Sequence, residues 1–239
     1  MNQHRVGNNG HMTSVPLTPV AGDRRAQLSK GERQRRAILD ALPPLLSKQP
    51  LSSLSVSDIT KAAGLSRSGF YFYFDTKETA LTVAVADVWS ELKSRSGIWR
   101  PALQGDSLHD HVRRSLSTTA EVWRNHAELL IAFTQVRDID PSMEAMWAES
   151  MQEFTTQLSE YIRLECDLGR AEPVSSDYED LAGTLLHATA DAFYRAVRAG
   201  SDQQEMNRHV DLLTRMFLAA IWGPRSGLWP AVGQAPAPR

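Results

Sequence analysis

The sequence predicts an all-α fold of about nine helices, with an N-terminal three-helix domain containing a helix-turn-helix and a larger C-terminal helical domain. Three observations predict it. Apolar residues recur at three-to-four spacing through most of the chain. The alternating β-branched runs that mark strands are missing. Capping pairs and glycines bracket the apolar runs, as they do at helix ends.

Each element has its own signal. Ile38, Leu39, Leu42, Leu45 and Leu46 mark a first helix over about 30–48, and Pro43-Pro44 removes two backbone donors, so a kink or break is expected there. Ser55 and Asp58 form a capping-box pattern that opens a short helix to about Ala63, and Gly64 stops it. A third short helix runs from about Ser66 to Phe72. A fourth starts near Lys77 and aligns Leu81, Val85, Val88 and Leu92 on one face. The stretch from Gly97 to Gly105, with Pro101, breaks the pattern. Helices over about 107–124 and 126–137 follow. Asp140-Pro141 supplies a cap and a first-turn proline for a helix to about Leu168. Ser176 with Glu179 is read as the box opening a helix to about Ala199, and Ser201 with Gln204 as the box opening a last helix to Trp222.

The expected organisation is therefore an arm over 1–28, a helix-turn-helix domain over 29–75, a connector helix and C-terminal domain over 76–222, and a tail over 223–239. Arm and tail are polar, aperiodic and rich in Pro and Gly, which reads as disorder. Met12 is an alternative start, and Trp229 has the option of tucking onto the body.

Composition excludes several classes. The chain has 239 residues, 42% hydrophobic and 23% charged, as in ordinary globular proteins. The single cysteine, Cys166, cannot form an internal disulfide or a thiolate cluster. No uncharged apolar run approaches membrane-spanning length, and the N-terminus has no signal-peptide core, so a cytoplasmic protein is expected. No GxSxG, HExxH, Walker or dinucleotide glycine pattern appears. His109 and His111 are two apart, which on a helix points them to different sides and makes a poor metal pair. No cofactor or metal is expected, and an enzyme is disfavoured.

The net charge of −2 hides a split. Residues 24–95 carry 12 Lys+Arg against 7 Asp+Glu, whereas residues 96–239 carry 13 against 20. A basic N-terminal third on an acidic body points to an anionic partner for that third alone.

That third contains SVSDITKAAGLSRSGFYFYFDTKE over 55–78. A capped helix, a glycine turn and a second helix make a helix-turn-helix. The second helix presents Ser66, Arg67, Ser68 and Gly69, small and polar enough to enter a major groove, where Arg forks onto guanine. Phe70, Phe72 and Phe74 are expected to supply rings to a small core, with the hydroxyls of Tyr71 and Tyr73 toward phosphates. Lys77 opens the next helix and suits another phosphate, and Arg33, Arg35 and Arg36 lie beside the groove. The competing reading makes the aromatic string a packing cluster and the basic residues a solvated face.

This segment resembles the DNA-binding domain of TetR-type transcriptional regulators. The resemblance rests on Ile38-Leu-Asp-Ala41, Ser55-Val-Ser-Asp-Ile59, the run from Ala63 to Phe74, and Thr76-Lys-Glu78. FYFYF followed by the KE pair is similar to the branch that contains the mycobacterial ethionamide-resistance repressor. The resemblance implies a homodimeric regulator, usually a repressor, on a palindromic double-stranded DNA operator. It implies that Ser55 touches phosphate, that Thr60 faces the groove, that Arg67, Ser68 and Gly69 read bases, and that Tyr71, Tyr73 and Lys77 touch phosphates. Pro43-Pro44 departs from the family's uninterrupted first helix.

The acidic body is rich in large soft side chains, which serve either as core or as walls of an apolar cavity for a small effector. By the same resemblance Trp123, Trp147, Met151, Phe154 and Phe217 fall near a ligand tunnel. His187, Thr189 and Asp191 are candidate polar anchors. The last two helices are implied as the dimer interface, with Leu185, Leu186, Ala192, Tyr194, Val197, Val210, Leu213, Phe217 and Ala220 as its apolar face, which burial inside one subunit explains equally well. The alternative function is a helical ligand-binding or interaction protein without operator binding.

Overall fold

A computed structural model of the chain describes residues 29–95 and 107–226. The arm over 1–28, the break over 97–105, Trp229 and most of the tail lie outside them. The described residues form nine α-helices and no strand. They are α1 (Lys30–Leu46), α2 (Val56–Ala63), α3 (Arg67–Tyr73), α4 (Lys77–Arg95), α5 (Leu108–Asn125), α6 (Ala127–Arg137), α7 (Pro141–Asp167), α8 (Tyr178–Arg198) and α9 (Gln203–Phe217). A 3₁₀ turn (Leu51–Ser53) lies between α1 and α2, and a π turn (Leu218–Trp222) follows α9.

The caps account for most boundaries. Ser29 and Glu32 close a reciprocal box at α1, and Ser55 and Asp58 close the expected one at α2. Gly64, at φ 68°, gives α2 its left-handed stop. Asp140 accepts from the N–H groups of Ser142 and Met143, with Pro141 in the first turn.

Two starts differ from expectation by one residue. Asp177, not Ser176, caps α8, and Asp202, not Ser201, caps α9 in a box with Glu205. Each time an aspartate stands beside the serine, and its charge also favours the positive end of the helix dipole.

The expected break at Pro43-Pro44 does not occur: α1 runs through both prolines to Leu46. The missing donors are those that would bond Leu39 and Asp40, only a turn from the end. The helix is then closed by Ser47, whose N–H reaches the Pro43 carbonyl at 3.0 Å.

One core runs through the molecule. Ile38 and Leu42 of α1, Ile59 of α2, and Phe70 and Phe74 beside α3 pack on Leu81 and Val85 of α4. Further along α4, Val88, Trp89 and Leu92 belong to the same core as Leu116 and Trp123 of α5, Phe133 of α6 and Phe154 of α7. The expected stripe of α4 is thus buried along its whole length. α7 packs along α8, and α5 along α9. Phe72 departs from its expected place, since its ring is 80% exposed.

A buried carboxylate lies near the end of α7. Glu165 of α7 is 5% exposed and accepts from the Arg170 guanidinium and, at 3.3 Å, from the Trp222 indole N–H. Burial pushes the Glu165 carboxyl up, but Arg170, Trp222 and the neighbouring His111 outweigh it and hold the group below its usual range. Burial beside that carboxylate pushes Tyr161 up to about 12. Gly223 ends the π turn at φ 51°, where a Cβ would lie 2.7 Å from the Glu172 carbonyl oxygen.

Candidate nucleic-acid interface and ligand cavity

The second helix of the motif, α3, is positioned by two rings. Phe70 is fully buried and Phe74 is 3% exposed, and they meet with centroids 5.9 Å apart. Their burial turns the opposite side of α3 outward. Ser66 caps the helix by accepting from the Gly69 N–H at 3.1 Å, and its oxygen lies 2.9 Å from the Ser68 hydroxyl. Arg67 and Ser68 are exposed, and Gly69 is half-buried. Tyr71 is 49% exposed. These five residues make one accessible surface at the start and outer face of α3.

The remaining candidates divide into those beside this surface and those committed elsewhere. Ser55 is exposed, but its hydroxyl already serves the α2 cap, donating to Asp58 at 2.6 Å. That bond holds the Asp58 carboxyl below its ordinary range. Tyr73 is half-buried and donates to Gln34 at 3.0 Å, tying α3 to α1. Thr60 is 4% exposed and donates to the Ser57 carbonyl, so it faces the core rather than a groove. Arg36 points away from α3, to Asp40 at 2.9 Å and Asp87 of α4 at 3.1 Å. Arg35 instead lies over the Phe74 ring, 5.4 Å from its centroid.

Lys77 has the most specific arrangement. Its ammonium donates to the carbonyls of Leu51 at 2.7 Å, Leu54 at 2.8 Å and Ser52 at 3.3 Å. An ammonium has three donors, and all three are used on the 3₁₀ turn before α2. Its observed task is to hold that turn against the start of α4. The sequence shows a basic residue at a helix start, but nothing local reveals carbonyls 23 to 26 residues away.

In the body, a cavity of about 60 Å³ lies between α4, α5, α7, α8 and α9. Trp123, Met151, Phe154, Thr189 and Phe217, five of the candidate residues, line it together with Leu92, Leu116, Thr119, Leu186 and Ala190. The two threonine hydroxyls are spent on their own helices: Thr119 donates to Ser115 at 3.1 Å, and Thr189 to Leu185 at 2.8 Å. The walls are therefore almost wholly apolar.

Three candidates stand outside the cavity lining, Asp191 among them. Trp147 packs on Trp89 with centroids 5.6 Å apart and lies under the Arg137 guanidinium at 5.0 Å. His187 is exposed, with Nδ1 2.8 Å from the Gly183 carbonyl. Helical phase turns His187 to a neighbouring face of α8, whereas Trp147 shares the Met151–Phe154 stripe of α7 and stands one turn before it.

Among the described residues no group of three or more His, Cys, Asp or Glu is arranged to hold a metal ion, and no helix is long and apolar enough to cross a membrane.

A capped helix-turn-helix continuous with a helical body that holds an apolar cavity is the architecture of a helix-turn-helix regulator. Residues 38–81 match the tetR family of bacterial regulatory proteins, and residues 112–223 match the C-terminal domain of the transcriptional regulator EthR. The chain belongs to the TetR family and is a helix-turn-helix transcriptional regulator, not an enzyme.

Its relatives include the HTH-type transcriptional regulator EthR of Mycolicibacterium smegmatis, 26% identical over 89% of this chain and 97% of that protein. The EthR of Mycobacterium tuberculosis is also 26% identical, over 84% of this chain and 92% of that protein. The fold is shared with a putative TetR-family regulator from Syntrophomonas wolfei, at TM-score 0.65 and 17% identity over 85% of this chain and all of the other. A putative TetR-family regulator from a Rhodococcus species superposes at TM-score 0.63 and 18% identity, over 77% of this chain and 97% of that one.

Proposed function

We propose that this regulator is a cytoplasmic homodimeric repressor that binds a palindromic operator through α3 and releases it when a small apolar or amphipathic effector enters the body. In this reading residues 29–75 are the DNA-reading domain, and residues 76–222 carry the connector, the effector cavity and the dimer interface. The observation that carries it is the outward face of α3, where Arg67, Ser68 and Tyr71 are exposed on a helix held firmly by Phe70 and Phe74. Arg67 is assigned to a guanine edge, with Ser66, Ser68 and Gly69 beside it in the groove. Tyr71 and Ser55 are assigned to phosphates, and Tyr73 to a phosphate only by way of a hydroxyl shared with Gln34. Thr60, Arg36 and Lys77 act through the fold of the domain.

A second copy is placed against α8 and α9. Leu185, Val197, Val210, Leu213 and Phe217 are buried within one subunit, so they are not the contact surface. The outward side carries Ala188 and Ala192 of α8, with Leu212 and Met216 of α9 at 51% and 41% exposure. Small alanines on one helix and larger apolar groups on the next suit close packing against a symmetry mate. Two reading helices are needed, because half-sites lie about 34–36 Å apart or at a multiple of it.

The effector reading rests on the apolar walls of the cavity. Pockets for drug-sized ligands measure roughly 300–1,000 Å³, so the cavity of about 60 Å³ must grow as ligand enters. Met151 and the rings of Trp123, Phe154 and Phe217 are the side chains whose movement enlarges it. Growth between α4, which carries the DNA-reading domain, and the body helices biases the spacing of the two α3 helices.

Two experiments test this. In a salt-titrated binding assay on DNA upstream of the gene, specific binding should weaken steeply with salt. Arg67→Ala should weaken the specific complex by about 1–3 kcal/mol and relax sequence preference at one base pair. A chain without operator function would show no specific complex at any salt. Separately, uncharged apolar compounds of graded size should raise the melting temperature, by about 2.7 kcal/mol of stabilisation at a hundredfold excess over Kd, and release the operator over the same concentrations. Compounds that stabilise the protein without releasing DNA would sink the effector reading.

A further inference from the structure

We propose that Phe72 is a sequence-specificity residue that recognises the C5-methyl group of a thymine in each operator half-site. This rests on the DNA-binding reading of α3 given above and goes beyond it.

The geometry of α3 isolates Phe72. Phe70 and Phe74, four residues apart, define the buried side of the helix. At 3.6 residues per turn, a step of two residues from Phe70 turns the side chain by about 200°. Phe72 therefore projects almost straight away from the core, on the same line as Ser68 one turn earlier. Its ring is 80% exposed, and its one ring contact is with the edge of Tyr73, 4.9 Å away between centroids. The core does not hold it, and Tyr73 is itself anchored on Gln34.

The chemistry of the ring narrows its partner. Phenylalanine has no donor or acceptor, so it cannot read the polar edges of guanine, adenine or cytosine. In duplex DNA the base faces are stacked and out of reach. The apolar group that the major groove offers is the thymine C5-methyl. Ser68, small and on the same face, lets the helix approach closely enough for the ring to reach the groove floor. Arg67 and Tyr71, one turn apart, run along one side of that line, so a polar reader and an apolar reader stand side by side on α3.

The test uses the full-length protein and duplexes selected by it from a random-sequence pool. Each symmetry-related thymine pair of the selected site is replaced by deoxyuridine, which removes only the methyl groups. The wild type should lose about fourfold per half-site at one thymine position, the worth of one buried methylene, or about fifteenfold for both. Phe72→Ala should bind the thymine and uracil duplexes equally, with the salt slope unchanged because no phosphate contact is lost. Phe72→Leu should keep part of the discrimination. Neither variant should alter the melting temperature, since the ring is outside the core. If no thymine is uracil-sensitive in the wild type, or if Phe72→Ala weakens every duplex alike and keeps the uracil penalty, the proposal is overturned. If the wild type selects no sequence from the pool, the DNA-binding reading itself fails.

Discussion

Lys77→Met is expected to destabilise the protein by about 3 kcal/mol, measured as a lower urea midpoint, because partly buried carbonyls lose charge-assisted hydrogen bonds. The ammonium holds Leu51, Ser52 and Leu54 together, and methionine keeps the stem while removing every donor. At a temperature where the variant is folded, its operator affinity should stay within about twofold of wild type, and its salt slope should not change. Lys77→Arg separates the two roles of a positive charge. A planar guanidinium fork does not fit three carbonyls converging on one point, so arginine should recover little of the stability. A phosphate contact would behave in the opposite way. The methionine variant would then melt normally and bind DNA weakly, with a salt slope smaller by about one, and arginine would rescue binding. That result would return Lys77 to the DNA surface.

Glu165→Ala is expected to cost about 2–3 kcal/mol of stability at pH 7, less than a fully buried ion pair because the partner Arg170 can return to water. The Arg170 side chain is 55% exposed, whereas that of Glu165 is only 7% exposed. The larger share of the loss comes from the Trp222 indole N–H, which is left without its acceptor at the π turn. Glu165→Gln keeps an acceptor and removes the charge, so it should cost less. The pH dependence has a definite sign. The folded carboxyl lies below its ordinary value of 4.5, so its contribution is complete above that value. As pH falls through the folded value the proton binds and the contribution disappears. The stability gap between wild type and Glu165→Gln should be constant from neutral pH down to about pH 5 and close below 4.5. A gap that persists unchanged in acid would mean that packing, not charge, sustains this corner.

The two positions differ in how visible they are in the sequence. Glu165 and Arg170 are five apart, spanning the end of α7, and nothing in their spacing marks them as buried. Trp222 closes on them from 57 residues away. Lys77 is conspicuous as part of the Thr76-Lys-Glu78 pattern, yet the pattern shows only that a cation stands at a helix start. Its partners lie on the turn between α1 and α2, which meets the start of α4 only in the tertiary fold.

The sequence by itself determined the all-α class, the order and near-boundaries of the nine helices, the helix-turn-helix and the family. These rest on local physics: helical period, caps within three residues, and glycines that accept positive φ. Its boundary errors at α8 and α9 were one residue each, where two capping side chains stood side by side. Only the tertiary structure decided which side of each helix faces what. It turned Phe72 outward and Thr60 inward, spent Arg36 on Asp87, gathered five of the eight candidate cavity residues, and left Trp147, His187 and Asp191 outside the lining. The reason is that a helix fixes relative phase but not absolute rotation. Rotation is set by which neighbours compete to bury a face, and those neighbours lie tens of residues away along the chain.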